Sequence, residues 1–126
     1  MKKVLLIATT RLTMDGLTEI LLRVARIAAR EYLVGFALGE GCSADIQPQL
    51  EVIGSVYQLP SRKKKLPCYM AALAALVKKK GYEVVHIHGN SATMAFDLLA
   101  VWAGGATVRI THCHNCAHQP ALKQAT

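Results

Sequence analysis

Short apolar runs alternate along the chain with longer stretches in which apolar residues recur at helical spacing. The run Lys3–Ala8 is apolar after its first residue and has the length of a strand buried on both faces. The next stretch predicts an amphipathic helix. Its apolar stripe comprises Leu17, Ile20, Leu21, Val24, Ile27 and Ala28.

The same alternation continues to residue 111 and predicts four further strands and three further helices. Strands are expected at 32–38, 55–59, 83–87 and 107–111. Helices are expected at 44–53, interrupted by Pro48, at 67–80, and at 92–103, where Gly104 and Gly105 stop the last one. Residues 112–126 have no clear periodicity.

Strands that alternate with helices predict an α/β fold, a Rossmann-like parallel sheet with helices on both faces. Ligands of such sheets bind at the carboxyl ends of the strands. We therefore expect the functional residues in the loops after strands one, four and five. These loops are residues 9–16, 88–91 and 112–118.

Composition and charge narrow the function classes. The 126 residues suffice for one domain, and 52% hydrophobic residues with 18% charged residues exclude a disordered tail. Fifteen basic against eight acidic residues give a net charge of +7, which favours acidic ligands. Aromatic residues are only 6%, so we expect no nucleic-acid partner. No apolar run approaches the roughly 20 residues of a membrane span, and the four cysteines fit reduced thiols in a cytoplasmic protein.

The first loop leads from strand one into helix one without a GxGxxG motif. Gly16 at the helix start allows the backbone to approach an anion, such as a phosphate. The alternative is purely structural, with Asp15 as the helix N-cap and Gly16 in the turn.

Two histidines precede a Gly-Asn-Ser turn after strand four. Strand alternation places His86 and His88 on one face, and the turn Gly89-Asn90-Ser91 offers amides and hydroxyls to a ligand. A structural role for both histidines is the alternative.

Residues 112–118 contain five side chains that can bind a metal, including the pair Cys113 and Cys116. A structural zinc site needs a second ligand pair, for which only His86, His88, Cys42 and Cys68 remain. Spacing alone gives many false matches, so we expect no metal. A small metal-binding domain that uses this cluster stays as an alternative.

Two lysine runs flank an uncharged predicted helix: Lys63, Lys64 and Lys65 precede it, and Lys78, Lys79 and Lys80 end it. These runs favour attachment to an anionic membrane surface. Solvated ends of a helix that packs on the sheet explain them equally well, and the two explanations are compatible.

Taken together, the segments KVLLIAT, TMDGLTEILLRVAR, QLPSRKK, YEVVHIHGNSATMAFDLLAVWAG and VRITHCHN resemble, in this order, the N-terminal half of a bacterial family 4 glycosyltransferase with the GT-B fold. Capsular and exopolysaccharide enzymes of that family commonly read DIVHVHGNSA and RIAHSHN at the last two places. The resemblance covers nearly the whole chain but about a third of a typical family member.

The resemblance implies transfer of a sugar, with retention, from a nucleotide sugar to a glycan or lipid-linked acceptor in surface polysaccharide synthesis, without a cofactor and usually without a metal. The reduced cysteines and the two lysine runs predict a cytoplasmic location, peripheral on the inner face of the cell membrane. The implied site residues are His114 as the catalytic residue beside the transferred sugar, Asp15 and Gly16 near the donor diphosphate, and His88, Gly89, Asn90, Ser91 and Asn115 around the acceptor.

The chain departs from the family in two places and in length. Asp15 stands where the family often has a glycine, with Glu19 displaced by one position, and Cys113 replaces a serine, which makes the CxxC spacing incidental. The donor-binding domain is missing, so we expect residues 1–126 to be the acceptor domain of a larger enzyme and inactive alone. The alternative is a non-catalytic binding subunit that meets a separate donor-binding chain.

Overall fold

The computed structural model of the protein describes residues 2–14, 16–89 and 94–113. Five strands alternate with four helices over these ranges. The strands are β1 (Lys3–Ala8), β2 (Leu33–Leu38), β3 (Ser55–Gln58), β4 (Val84–Gly89) and β5 (Val108–Cys113). The helices are α1 (Gly16–Ala28), α2 (Gln47–Ile53), α3 (Leu66–Lys80) and α4 (Met94–Ala103).

The strands form one parallel sheet in the order β3-β2-β1-β4-β5. The chain adds β2 and β3 outward from β1, then crosses back through α3 and places β4 on the other side of β1. A central β1 explains its apolar sequence, since all its residues after Lys3 are buried. The predicted α/β, Rossmann-like class is confirmed.

Alternation along β1 divides the core into two clusters, one on each face of the sheet. Leu6 and Ala8 pack in the cluster of α1 and α2, which includes Leu21 and Leu50. The other cluster belongs to α3 and α4 and contains Leu5, Ile7, Tyr69, Leu73, Val77, Ala100 and Val101. Successive side chains of β1 therefore point alternately into the two clusters, as the two-residue period of a strand requires.

Pro48 does not interrupt α2, contrary to the sequence prediction. The helix begins at Gln47, so Pro48 lies in its first turn, where backbone N–H groups have no partner within the helix. The predicted helix started three residues too early for the same reason. Helix α3 ends at a glycine, as the left-handed conformation commonly found there requires. Gly81 follows its last residue with a positive φ of 72°.

The predicted ends of β4 and β5 were each two residues short. Strand β4 continues through His88 and Gly89, and β5 continues through His112 and Cys113. The additional pairs His88–His112 and Gly89–Cys113 extend the parallel ladder between the two strands. These residues were expected in loops, so the correction changes the geometry of the candidate site.

Part of the sheet near β5 remains open to solvent. Val108 and Ile110 are 47% and 43% exposed, because α1 packs on β1 and β2 and does not reach this strand. Over the described ranges, no helix has both the length and the apolar character needed to cross a membrane.

Candidate functional site

The sheet reverses its direction of growth between β1 and β4, and such switch points are where open α/β sheets bind their ligands. Thr9 follows β1 at this point and donates two hydrogen bonds to the carbonyl oxygen of His88, from its amide at 3.1 Å and from its hydroxyl at 3.2 Å. Both residues are buried. The two loops that start here therefore leave the sheet from a fixed common point.

The loop after β1 is anchored to the loop after β2. The amide of Leu12 donates to the carbonyl of Gly41 at 3.1 Å, and the amide of Ser43 donates to the carbonyl of Leu12 at 2.9 Å. Leu12 is fully buried, whereas Arg11 and Met14 are exposed. Buried Thr9 and Leu12 thus hold a loop whose exposed side chains face solvent at the carboxyl edge.

Cys42, next to this anchor, behaves as a structural thiol. Burial raises the pKa of Cys42, and the nearby charge of Arg11 offsets only part of that effect. The Sγ atom donates a hydrogen bond to Oε1 of Gln47 at 3.1 Å. A thiol with a raised pKa is a poor nucleophile.

Gly16 begins α1 at the same edge of the sheet and is exposed. A Cβ atom added to it would meet nothing within 4 Å, so packing does not require a glycine here. It lines an open groove of about 470 Å³ between α1 and α2, together with Thr18, Glu19, Arg26 and Gln49. Glu19 in the first turn is paired with Arg23 at 3.6 Å. Asp15 lies outside the described residues.

Gly89, by contrast, is required by packing. A Cβ atom on it would overlap the hydroxyl oxygen of Thr9 and approach Sδ of Met94 to 2.9 Å. The end of β4, the end of β1 and the start of α4 therefore pack at van der Waals contact around Gly89. Asn90 and Ser91, which follow it, lie outside the described residues.

Three histidines lie together beside the switch point. His86 and His88 are on one face of β4, and His112 of β5 pairs directly with His88. Their ring centroids are 4.2 Å apart for His86 and His88, 5.4 Å for His88 and His112, and 5.9 Å for His86 and His112. His88 is fully buried, and the other two are half-buried. The structure thus brings together residues from two separate sequence motifs.

A buried ion pair fixes the loop after β3 at this same edge. Nη2 of Arg62 donates to Oδ2 of Asp97 at 2.7 Å, and Nε donates to both carboxylate oxygens at 3.2–3.3 Å. The hydroxyl of Tyr69 donates to Oδ1 of Asp97 at 2.5 Å. The side chain of Asp97 is 0% exposed and that of Arg62 10%. The network joins the β3–α3 loop, α3 and α4.

The electrostatics of this network follow from burial and from mutual contact. Burial, followed by the charge and the hydrogen bond of Asp97, raises the pKa of Tyr69. Burial alone would lower the pKa of Arg62, but its hydrogen bonds and the charge of Asp97 outweigh burial and raise it. Tyr69 therefore stays neutral and Arg62 stays charged near neutral pH. Sequence reasoning missed this network, although Asp97 is the sole charged residue in α4.

A second groove, of about 610 Å³, lies at the opposite edge of the sheet, where the strands begin. Tyr57 and Tyr82 line it, and their hydroxyl oxygens are 3.0 Å apart. Burial and the contact with Tyr57 raise the pKa of Tyr82. This edge holds the amino ends of the strands, where parallel sheets do not bind their ligands.

Of the predicted site residues, the structure places Gly16, His88 and Gly89 at the carboxyl edge. His88 and Gly89 lie at the switch point, and Gly16 follows at the end of the loop after β1. His114 and Asn115 lie outside the described residues, as do Asp15, Asn90 and Ser91. His112, which the sequence grouped with the loop of residues 112–118, is instead a strand residue beside His88.

Open α/β sheets share the edge at which they bind ligands, but one fold carries many functions. Comparison of the chain with protein-family models, with curated proteins and with solved structures finds no match. The chemical class of the ligand is therefore inferred from the residues at the carboxyl edge and from the motifs that contain them.

Proposed function

We propose that this chain is the acceptor-binding half of a retaining glycosyltransferase. The main support for the proposal is that the two histidine-containing segments lie side by side, next to the switch point. His88 belongs to the segment that resembles the acceptor loop, and it pairs with His112 of the segment that resembles the catalytic loop. Both segments therefore end at the edge where an α/β sheet binds its ligand.

In this proposal the acceptor sugar lies over the ends of β4 and β5. The resemblance assigns hydrogen bonds with its hydroxyl groups to Asn90 and Ser91, which follow the packed Gly89 in sequence, and to Asn115. The family resemblance assigns His114 to the transferred sugar, and a neutral imidazole there would orient a reacting hydroxyl. The hydrogen bonds between buried Thr9 and His88 hold the loops after β1 and β4 at a fixed separation. Such positioning is a large part of what an enzyme contributes to a bimolecular transfer.

The donor diphosphate would approach the start of α1. The exposed N-terminus of this 13-residue helix carries partial positive charge, and Gly16 places no side chain in the way. A donor-binding domain, later in the same chain or in a partner subunit, supplies the nucleotide site across the cleft. The nucleotide sugar is a substrate, and the proposal includes no cofactor.

The outer face of α3 and α4 is apolar and ends in lysines. Phe96, Leu99 and Trp102 recur at three-residue spacing on α4 and are 42%, 54% and 61% exposed. Asp97, the only acidic residue of these two helices, is buried. The exposed residues of α3 between its ends are Pro67, Cys68, Ala71 and Ala75. The exposed lysines Lys63, Lys64 and Lys65 precede this helix, and Lys78, Lys79 and Lys80 end it.

We propose that this face lies on the anionic inner surface of the cell membrane, in keeping with a lipid-linked acceptor and a cytoplasmic location. Exposed tryptophan, phenylalanine and leucine insert at the boundary between headgroups and acyl chains. Lysines near an anionic surface each add about 1 kcal/mol. A bilayer complements both properties, an uncharged centre and basic ends.

The test is a sugar-transfer assay on the complete gene product that contains this chain, isolated with any chain that copurifies. Radiolabelled UDP-, GDP- and dTDP-sugars are incubated with a lipid extract of the source cells. We expect donor-dependent label in a lipid or glycan fraction. We also expect its loss in His114→Ala, with an unchanged melting temperature, while the matched variant His118→Ala retains transfer. Absence of label with every donor, from folded protein, contradicts the proposal.

The DNA sequence downstream of this chain distinguishes the second arrangement, in which the chain is a non-catalytic subunit. A reading frame that continues from Thr126 into a second α/β domain supports a single-chain enzyme. A stop codon followed by a separate donor-domain gene supports two chains, and transfer would then require both purified proteins together.

A further inference from the structure

The histidine cluster offers three nitrogen ligands on one face of two adjacent strands. His86 and His88 share a face because they are two residues apart, and the parallel register sets His112 directly beside His88. One ring nitrogen from each of the three histidines lies within 4.8 Å of the other two. No other group of three metal-binding side chains is this close within residues 2–14, 16–89 and 94–113.

The geometry points to a binding site for a transition-metal ion, and we propose Zn²⁺ held by His86, His88 and His112. Imidazole nitrogens suit zinc, copper, nickel and iron, and sets of three histidines hold zinc with a fourth position open. Zinc–nitrogen bonds of 2.0–2.1 Å in a tetrahedron separate the ligand nitrogens by about 3.3 Å. The three nitrogens, all within 4.8 Å of one another, lie near enough to share one ion.

Burial and access also fit an ion that enters from one side. His88 is fully buried at the base of the cluster, while His86 and His112 are half-buried and closer to solvent. The neighbouring residues Val108 and Ile110 are exposed, so the β5 side of the cluster is open. A bound ion would tie the carboxyl ends of β4 and β5 together. Those ends lead into the two loops of the proposed sugar site.

This site differs from the one that sequence spacing suggested. The sequence expectation was of no metal, weighed for the cluster of residues 112–118 with His86, His88, Cys42 and Cys68 as the possible second ligand pair. The strand extension of β5 makes His112 a partner of His88, and the proposed ligand set consists of histidines alone. The inference does not rest on the proposed glycosyltransferase function, because its test measures metal binding and not sugar transfer.

The test is a titration of the chelator-treated chain with ZnCl₂ by calorimetry, supported by the visible absorption of Co²⁺. We expect one equivalent of Zn²⁺, with changed ring-proton resonances of all three histidines. His86→Gln and His112→Gln should each weaken binding about tenfold or more, since even the outer partners of metal ligands contribute 10- to 100-fold. Both positions are half-buried, so these variants test the site even if His88→Gln fails to fold.

The matched control is Cys113→Ser combined with Cys116→Ser, and a second control is His118→Ala. Both should bind Zn²⁺ as the unmodified chain does. The inference is overturned if the chain binds no Zn²⁺. It is also overturned if His86→Gln and His112→Gln bind with unchanged affinity while the cysteine variant loses the ion.

Discussion

Thr9 donates both its amide and its hydroxyl hydrogen to the carbonyl oxygen of His88, between β1 and β4, where the strand order reverses. This pair joins the end of the first strand to the end of the fourth, 79 residues later in the chain. A Cβ atom on Gly89 would overlap the same threonine hydroxyl. The floor of the proposed sugar site is therefore built from the backbone of β4 and the side chain and backbone of Thr9 in close contact.

The first prediction concerns Gly16. Gly16→Ala should leave the melting temperature unchanged or slightly higher, because the added Cβ meets open space and alanine favours a helix. Sugar transfer by the complete enzyme should fall roughly tenfold to 100-fold if the donor diphosphate approaches this backbone. Arg30→Ala, an exposed change beyond the other end of α1, is the control. Full transfer by Gly16→Ala would remove Gly16 from the site.

The buried network provides a stability prediction. Asp97→Ala should lower the free energy of unfolding by about 3 kcal/mol, because it leaves the charge of Arg62 buried without its carboxylate. The double variant with Arg62→Leu should recover part of that loss, since no buried charge remains. Denaturant titration of the single and double variants measures both values. Purely additive losses would contradict a coupled ion pair.

A pH prediction follows from Tyr69. Its pKa is raised by burial, so the folded state keeps the phenolic proton above pH 10 while the unfolded chain loses it. The unfolded state then binds fewer protons, and stability falls as pH rises through this range. Tyr69 contributes about 1.4 kcal/mol per pH unit to that slope. Tyr69→Phe should show a correspondingly shallower fall between pH 10 and 11.5, and an identical slope would contradict it.

The membrane prediction uses two variants with equal loss of charge. Replacing Lys78, Lys79 and Lys80 with alanine should weaken binding to phosphatidylserine vesicles by about 3 kcal/mol, roughly 100-fold. Replacing Arg23, Arg26 and Arg30 should have a smaller effect, because the first two lie on α1 and the third just after it, on the other side of the sheet. Co-sedimentation with vesicles measures both. Binding should also weaken at high salt, and equal losses in the two variants would refute a specific face.

The fold was predictable from the sequence because its signals are local. The apolar run of β1 and the helical stripe of α1 each lie within one segment, and both were placed within a residue of their observed bounds. The position of Pro48 was misinterpreted, since a proline signals either a helix interruption or a first turn, and only the backbone distinguishes the two.

The site was less predictable, because it depends on contacts between distant segments. The sequence placed His88 and His112 near one edge, but their direct pairing follows from a strand register that extends two residues beyond the predicted ends. The partnership of Arg62 and Asp97 likewise joins positions 35 residues apart. A lone aspartate in the apolar helix α4 was the available signal that a buried partner existed.

Amide chemical-shift mapping of the ¹⁵N-labelled chain shows whether sugars bind at the carboxyl edge beside the switch point. The probes are a panel of octyl glycosides below their micelle concentrations. We expect saturable shifts at Thr9, Gly16, Gly89 and His112. Shifts confined to the amino-edge groove around Tyr57 and Tyr82, or no shift with any glycoside, would contradict it.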